Sequence, residues 1–210
     1  MTDLDLEQQL AQAIATELNA RRVDVCVPRG ARTGIVVSLV DPEGDRTMAS
    51  DRGSAAELTA DELQTDWLRC DALHLSGYSL MREPIAGAAT HAAQLARAEG
   101  ASVSVDLSSW THIERFGESM RGSLAQVRPD IVFGNEREWE AIGEIETSTR
   151  VVKRGGCGIS VDGQDFAAVS AEGVDSTGAG DALAAGFIIG GAQLALETAA
   201  RCVAQVGAMP

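Results

Sequence analysis

Neighbouring cysteines are absent from this chain. The four present, Cys26, Cys70, Cys157 and Cys202, stand far apart and form no C-x-x-C pair, which argues against a zinc site and a disulfide framework and fits reduced thiols in a cytoplasm. Bases are scarce as well. Seventeen Lys and Arg against 31 Asp and Glu give a formal charge of -14, a field that repels nucleic acid and anionic membrane surfaces. Any anionic ligand must therefore be held by local donors. Long hydrophobic runs are missing too: the longest, Ala182 to Ala192, falls short of the ~20 residues that span a bilayer. The acidic start MTDLDLEQQL has neither the basic flank nor the apolar run of a signal peptide. A cytoplasmic location, with no nucleic-acid or membrane partner, is the expectation. No internal repeat and no low-complexity linker occurs. No G-x-G-x-x-G follows an early strand with an acid ~20 residues on, which speaks against a dinucleotide-dependent oxidoreductase.

What is present describes one globular domain. At 210 residues, 45% hydrophobic and 23% charged, the chain can bury one sizeable core. Leu6, Leu10, Ile14 and Leu18 recur every fourth residue, and Thr2 with Asp5 forms a capping-box pattern, so residues 3–21 are expected to be an amphipathic helix. VDVCV (23–27) and GIVVSLV (34–40) are expected as strands, the second paired through Asp41-Pro42-Glu43-Gly44 with DRTMAS (45–50). From Asp71 the pattern alternates. ALHLS (72–76), a helix over 84–98 begun by Pro84, SVSVD (102–106), a helix near 112–127 and DIVFG (130–134) form a β-α-β-α-β series, which predicts a parallel sheet covered on both faces. RVVKR (150–154) follows, then GISV and QDFAAVS joined by Asp162-Gly163, a hairpin signal. Two last helices are expected at 179–190 and 192–206. Gly186 and Gly190, spaced G-x-x-x-G, predict close packing of helices.

The stretch VDSTGAGDALAAGF (174–187) puts three small residues, Gly178, Ala179 and Gly180, between two acids just before an apolar helix. In an open parallel sheet, ligands sit beyond the carboxyl ends of strands, where loops feed helix N-termini. Such a terminus offers unpaired N–H groups and a positive dipole end, and glycines let the backbone approach an anion closely. Asp181 falls in the first helical turn beside that anion site. A carboxylate there repels phosphate yet accepts a proton, and the combination is the minimum apparatus of a kinase. The plainer reading is a capped helix after a tight turn.

The longer string D-S-T-G-A-G-D followed by A-L-A-A-G-F resembles the C-terminal signature of the ribokinase-like (PfkB) family of carbohydrate and nucleoside kinases. The resemblance implies a three-layer, doubly wound, mostly parallel α/β fold with part of a small β lid. It implies Asp181 as the catalytic base and the backbone of Gly178, Ala179 and Gly180 as an anion hole. Asn135 and Glu138, in GNEREWE, match the N-x-x-E motif that organises Mg2+ and the triphosphate. VKRGGCG (152–158) looks like the strand and loop that touch ATP, with Lys153, Gly155 and Gly158 at the matching places. Asp175 and Thr177 match positions that help bind K+ in members dependent on monovalent cations. TGIVVSLVDPEGDRTM (33–48) is similar to the segment entering the lid. Each match has a structural counterpart: Asn135 and Glu138 as a cap and a solvated acid, Lys153 as a surface lysine, Asp106 as a turn residue instead of a substrate ligand. His74, His91 and His112 have no metal spacing and read as structural.

Family members begin with a further segment, carrying a central strand, the first lid strands, a Gly-Gly dipeptide and an Asn that holds the acceptor. Against that pattern the chain reads as one kinase domain over 1–210 lacking its N-terminal segment, with residues 33–50 as a partial lid hairpin. The expected substrates are ATP with Mg2+ and a small sugar or nucleoside. The expected partners are a second copy of the chain or the missing N-terminal portion. A competing reading is a catalytically silent remnant that binds nucleotide or another chain.

Overall fold

The computed structural model describes residues 6–25, 32–40 and 46–208. Helix α1 (Leu6–Ala20) is followed by a separate two-stranded antiparallel sheet, β1 (Ile35–Val40) with β2 (Arg46–Asp51). The central sheet has six strands in the order β3 (Ala72–Ser76), β4 (Ser102–Asp106), β5 (Ile131–Asn135), β6 (Thr149–Lys153), β7 (Ile159–Val161), β8 (Gln164–Phe166). The first four run parallel, β7 pairs antiparallel with β6, and β8 pairs antiparallel with β7. Helices α2 (Ile85–Ala98), α3 (Trp110–Val127) and α4 (Glu136–Ile142) connect the parallel strands, and α5 (Ala179–Val203) closes the chain.

Burial explains the layering. Strands covered on both faces read as continuous apolar runs, and alternate residues must find partners on opposite sides. Val103, Val105 and Val132 pack with Ile113, Met120, Leu124, Val127, Trp139 and Ile142 of α3 and α4. Their neighbours Phe133, Val151 and Ile159 face the other way, against Leu183, Ala184, Ala195 and Leu196 of α5. The sheet is thus the middle of three layers, as the α/β alternation implied. β3 is the outermost strand on its side among the described residues. Parallel register brings the C-terminal ends of β4, β5 and β6 together: Asp106 pairs with Phe133, and Asn135 with Lys153.

Most predicted elements appear within a residue or two. The Asp162-Gly163 turn has φ of 49° and 86°, the left-handed pair that a two-residue hairpin requires. The strand after it is shorter than QDFAAVS and ends at Phe166. VDVCV is a correction. Residues 23–25 form no strand, and Val23 instead donates its N–H to the Leu18 carbonyl, closing the end of α1. Its remaining residues 26 and 27, and the Thr2–Asp5 cap, lie outside the described residues.

α5 consists of two arms. Gly190 and Gly191 have non-helical dihedrals, and the chain folds back there. Thr198 Oγ1 donates to the Ala182 carbonyl at 2.7 Å, and a Cβ on Gly186 would stand 2.7 Å from the Leu194 carbonyl oxygen. The predicted pair of helices and the close packing at G-x-x-x-G are both present. By length and apolar composition the 25-residue span could cross a bilayer, but neither arm reaches the ~20 residues needed.

Candidate active site

The loop before α5 is fixed against the end of the same helix hairpin. Val174 and Asp175 donate their N–H groups to the Val203 carbonyl at 2.7 and 3.2 Å. Asp175 Oδ1 accepts from Thr177 N and Oγ1 at 2.9 and 2.7 Å, and its Oδ2 accepts from Gly207 N at 3.1 Å. Cys202 lies buried beneath, its thiol 3.4 Å from the Thr177 carbonyl. Burial, reinforced by Asp175 and Asp181, pushes that thiol up from its ordinary pKa.

Gly178 then caps the helix in the left-handed region at φ 79°, with the Ala208 carbonyl oxygen 2.7 Å from where its Cβ would be. Glycine is required there on both counts. The Ala179 N–H reaches the Ser176 carbonyl at 3.3 Å, and the Ala182 N–H bonds Gly178 at 2.9 Å. Among the described residues no carbonyl pairs with the N–H of Gly180 or Asp181, as expected in a helix's first turn. Gly180, one of the three residues expected to form the anion hole, thus keeps a backbone donor facing out of the helix start, and Asp181 adds another.

A lysine faces this turn. Lys153, the last residue of β6, sits 3.6 Å from the position of a Gly180 Cβ. Its Nζ donates to Asp106 Oδ2 at 2.6 Å, across the end of β5, and the two side chains are 18% and 9% exposed. Lys153 is thus no ordinary surface lysine. Asp106 Oδ1 accepts the Ser108 N–H at 2.9 Å, with Ser108 at φ 69°.

Asn135 and Glu138 form a reciprocal capping box at the start of α4: Glu138 N donates to Asn135 Oδ1 at 2.9 Å, and Asn135 N to Glu138 Oε2 at 2.8 Å. The cap is real, yet Glu138 is no solvated acid, being 4% exposed. Burial lifts its pKa above the ordinary glutamate value; the Asn135 N–H and Lys153 oppose that lift, and Asp106 adds to it. After β6, Gly155 and Gly158 adopt φ of 54° and 95° in the tight turn that precedes β7. Nothing lies within 4 Å of a Cβ on Gly155, so this turn offers bare backbone to the solvent side.

His74 belongs to the same electrostatic neighbourhood. Its Nδ1 is 2.8 Å from Ser104 Oγ and its ring meets Phe133 edge-on at 6.0 Å. Desolvation pushes its pKa down, while Asp106 and Asp181 pull it back up. Its spacing from other ionisable residues pointed to no such place. A cavity of about 390 Å³ lined by Glu136, Trp139, Glu140, Gly143, Glu144, Arg150 and Val152 does not include Asp181, Lys153 or Asp106.

The donor set bears on the expected ions. No group of three or more His, Cys, Asp or Glu side chains among the described residues could cage a metal. Mg2+ needs no such cage, since it is commonly held by one or two carboxylates, water and substrate phosphates, and Glu138 fits that sparse requirement. The Asp175 carboxylate fits K+ less well, because both its oxygens already accept hydrogen bonds.

A mostly parallel α/β sheet with a glycine-led helix start, an acid in its first turn and a partly buried lysine facing it has the local chemistry of an anion site. The chain belongs to the pfkB family of carbohydrate kinases, whose family model matches residues 7–209. It is 29% identical over 188 residues to the fructokinase of Escherichia coli, covering 80% of this chain and 61% of that protein. It therefore spans less than two thirds of that relative's length. The fold is similar to that of a probable sugar kinase from Rhizobium etli, with a TM-score of 0.87 at 22% identity, covering 96% of this chain and 70% of that one. Adenosine kinase from Sinorhizobium meliloti gives a TM-score of 0.85 at 24% identity, covering 96% and 71%. A putative ribokinase II from E. coli, in complex with ATP and Mg2+, gives 0.78 at 23% identity, covering 96% and 75%.

Proposed function

We propose that this chain carries the phosphoryl-transfer centre of an ATP-dependent kinase whose acceptor is a hydroxyl of a small sugar or related polyol. The carrying observation is the meeting of Asp181, the unpaired N–H groups of its helical turn and the Lys153 ammonium at the ends of the parallel strands. Membership of the pfkB family and the fructokinase relative favour a sugar over other acceptors.

Asp181 accepts the proton of the attacking hydroxyl. The hydroxyl oxygen forms its bond to the γ-phosphorus as the bond to the bridging oxygen breaks, and ADP departs with that electron pair. The N–H groups of Gly180 and Asp181, with Lys153, hold the charge on the transferred group, and being fixed before substrate arrives they need no reorganisation. The Gly155–Cys157 turn presents backbone to the nucleotide. Glu138, fixed by its cap with Asn135, would help hold an Mg2+ arriving with ATP, which would supply positive charge to the triphosphate. No step is assigned to a monovalent cation.

The test is ADP release by the full chain with Mg-ATP and a panel of sugars and nucleosides. Turnover that depends on a sugar supports the proposal. A preference for a nucleoside moves the acceptor class. Nucleotide binding with no turnover on any acceptor supports the silent remnant instead.

A further inference from the structure

The Lys153–Asp106 pair is hard to explain as a stabilising device. Even a fully buried ion pair is weak evidence for stability, since desolvating both charges offsets most of their attraction, and this one is only partly buried. This lysine also stands at the positive end of a helix, where a cation is unfavourable. It reaches over β5 to a carboxylate two strands away, a span of roughly 10 Å between outer strands, and so loses most of its rotamer freedom. Asp106 is itself immobilised: Oδ1 takes the Ser108 N–H at 2.9 Å, and the Asp106 carbonyl takes the Ser108 hydroxyl at 3.0 Å. That turn holds Ser108 at φ 69°, a conformation non-glycine residues rarely adopt. The whole arrangement spends conformational freedom on placing one ammonium beside Gly180.

We infer that Asp106 is a positioning residue for phosphoryl transfer, one that holds the Lys153 ammonium at the start of α5 so that its remaining donors meet the γ-phosphoryl group, and that it is not a ligand of the acceptor. The inference rests on the kinase reading above. An ammonium has three donors; Asp106 Oδ2 occupies one at 2.6 Å, and the others are available to an anion bound at the Gly180 and Asp181 N–H groups. Because Oδ1 is committed to Ser108, the carboxylate cannot swing toward a sugar without breaking its own turn. A lysine left unheld would bind the triphosphate in several poses, and misplacement by about 1 Å is worth about 100-fold in rate.

The experiment is a double-mutant cycle of Asp106→Asn and Lys153→Met in the full chain. It reads Kd for Mg-ATP and Mg-ADP by calorimetry, and kcat and acceptor KM by ADP release. Lys153→Met should reduce the preference for ATP over ADP about 10- to 100-fold, the worth of one charge-assisted hydrogen bond. Asp106→Asn, which still accepts from Ser108, should lower kcat about 10- to 100-fold with acceptor KM and ADP affinity within about twofold. In the Lys153→Met background the same change should add nothing further. A raised acceptor KM at unchanged kcat would make Asp106 an acceptor ligand and overturn the inference, as would full additivity of the two losses. Should Asp106→Asn fail to fold with its lysine unpaired, the double variant has lost both charges and carries the calorimetry. An ATP preference equal to that of Lys153→Met then supports the inference, and a further loss overturns it. A wild-type chain that prefers ATP yet phosphorylates nothing refutes the kinase reading, while the calorimetric comparison still decides on Lys153 and Asp106.

Discussion

Gly180→Ala separates folding from function at one atom. Gly180 lies in the first turn of α5, and its φ falls outside the left-handed range, so alanine meets no backbone strain. The new methyl would find Lys153 Nζ at 3.6 Å and no other non-local atom within 4 Å, an ordinary contact. Helix propensity favours alanine by up to about 1 kcal/mol, less at a helix start, and a domain of this size gains about 2–4 °C per kcal/mol. The variant should therefore melt about 1–3 °C higher. The same methyl shields the ammonium and the neighbouring N–H from an incoming phosphoryl group, and turnover should fall about 10- to 100-fold. Gly178→Ala is the control. At φ 79° with the Ala208 oxygen 2.7 Å from its Cβ, it should lose about 1–3 kcal/mol. Differential scanning fluorimetry with coupled ADP release reads both quantities. A stabilised Gly180→Ala with unchanged turnover and ATP affinity would refute an anion site at this helix start, and a destabilised one would refute the geometry.

Glu138→Gln should reduce turnover and raise the Mg2+ requirement while melting at the same or a higher temperature at neutral pH, since a glutamine carbonyl can still accept the Asn135 N–H. Its pKa is raised on folding, so Glu138's favourable contribution is full below the unfolded value near 4.5 and is lost as pH rises through the folded value. The wild type should lose ground to the variant over that window, and parallel melting curves across it would contradict the burial argument. Asp130 has the opposite sign. Burial would raise its pKa, but the Val103 N–H and Arg97 outweigh that and lower it. Its contribution is present above the unfolded value near 3.8 and disappears as pH falls through the folded one. Asp130→Asn should cost about 1 kcal/mol at pH 7, discounted for partial exposure, and nothing near pH 2 in acid titration; an equal loss at both pH values would refute the carboxylate's role.

Local signals carried most of the fold. ALHLS and SVSVD are strands at the predicted bounds because alternate residues must pack against layers on both sides, and the Asp162-Gly163 turn is fixed by dihedrals that those residues tolerate. VDVCV had the composition of a strand, but composition cannot supply the neighbouring strand that pairing requires. The glycine loop and Asp181 were legible because helix-start chemistry is local. The Lys153–Asp106 pair was not: the residues are 47 apart, and parallel register, which no short stretch encodes, joins them. Asn135 and Glu138 were legible as a cap or as a functional pair, and the structure shows why neither reading excludes the other. One box of hydrogen bonds fixes a carboxylate that burial would otherwise leave without a partner. His74 reads as structural from its spacing, and its position near Asp106 and Asp181 emerges from the order of the strands.

The central claim is that Asp181 takes the acceptor's proton beside a bound triphosphate, and Asp181→Asn tests it most directly. Calorimetry of Mg-ATP binding and ADP release on the responding acceptor are measured on wild type and variant together. Nucleotide affinity should stay within a few-fold and turnover should fall by about 10²- to 10⁴-fold, the range for a general base. Undiminished turnover in the variant would contradict the claim.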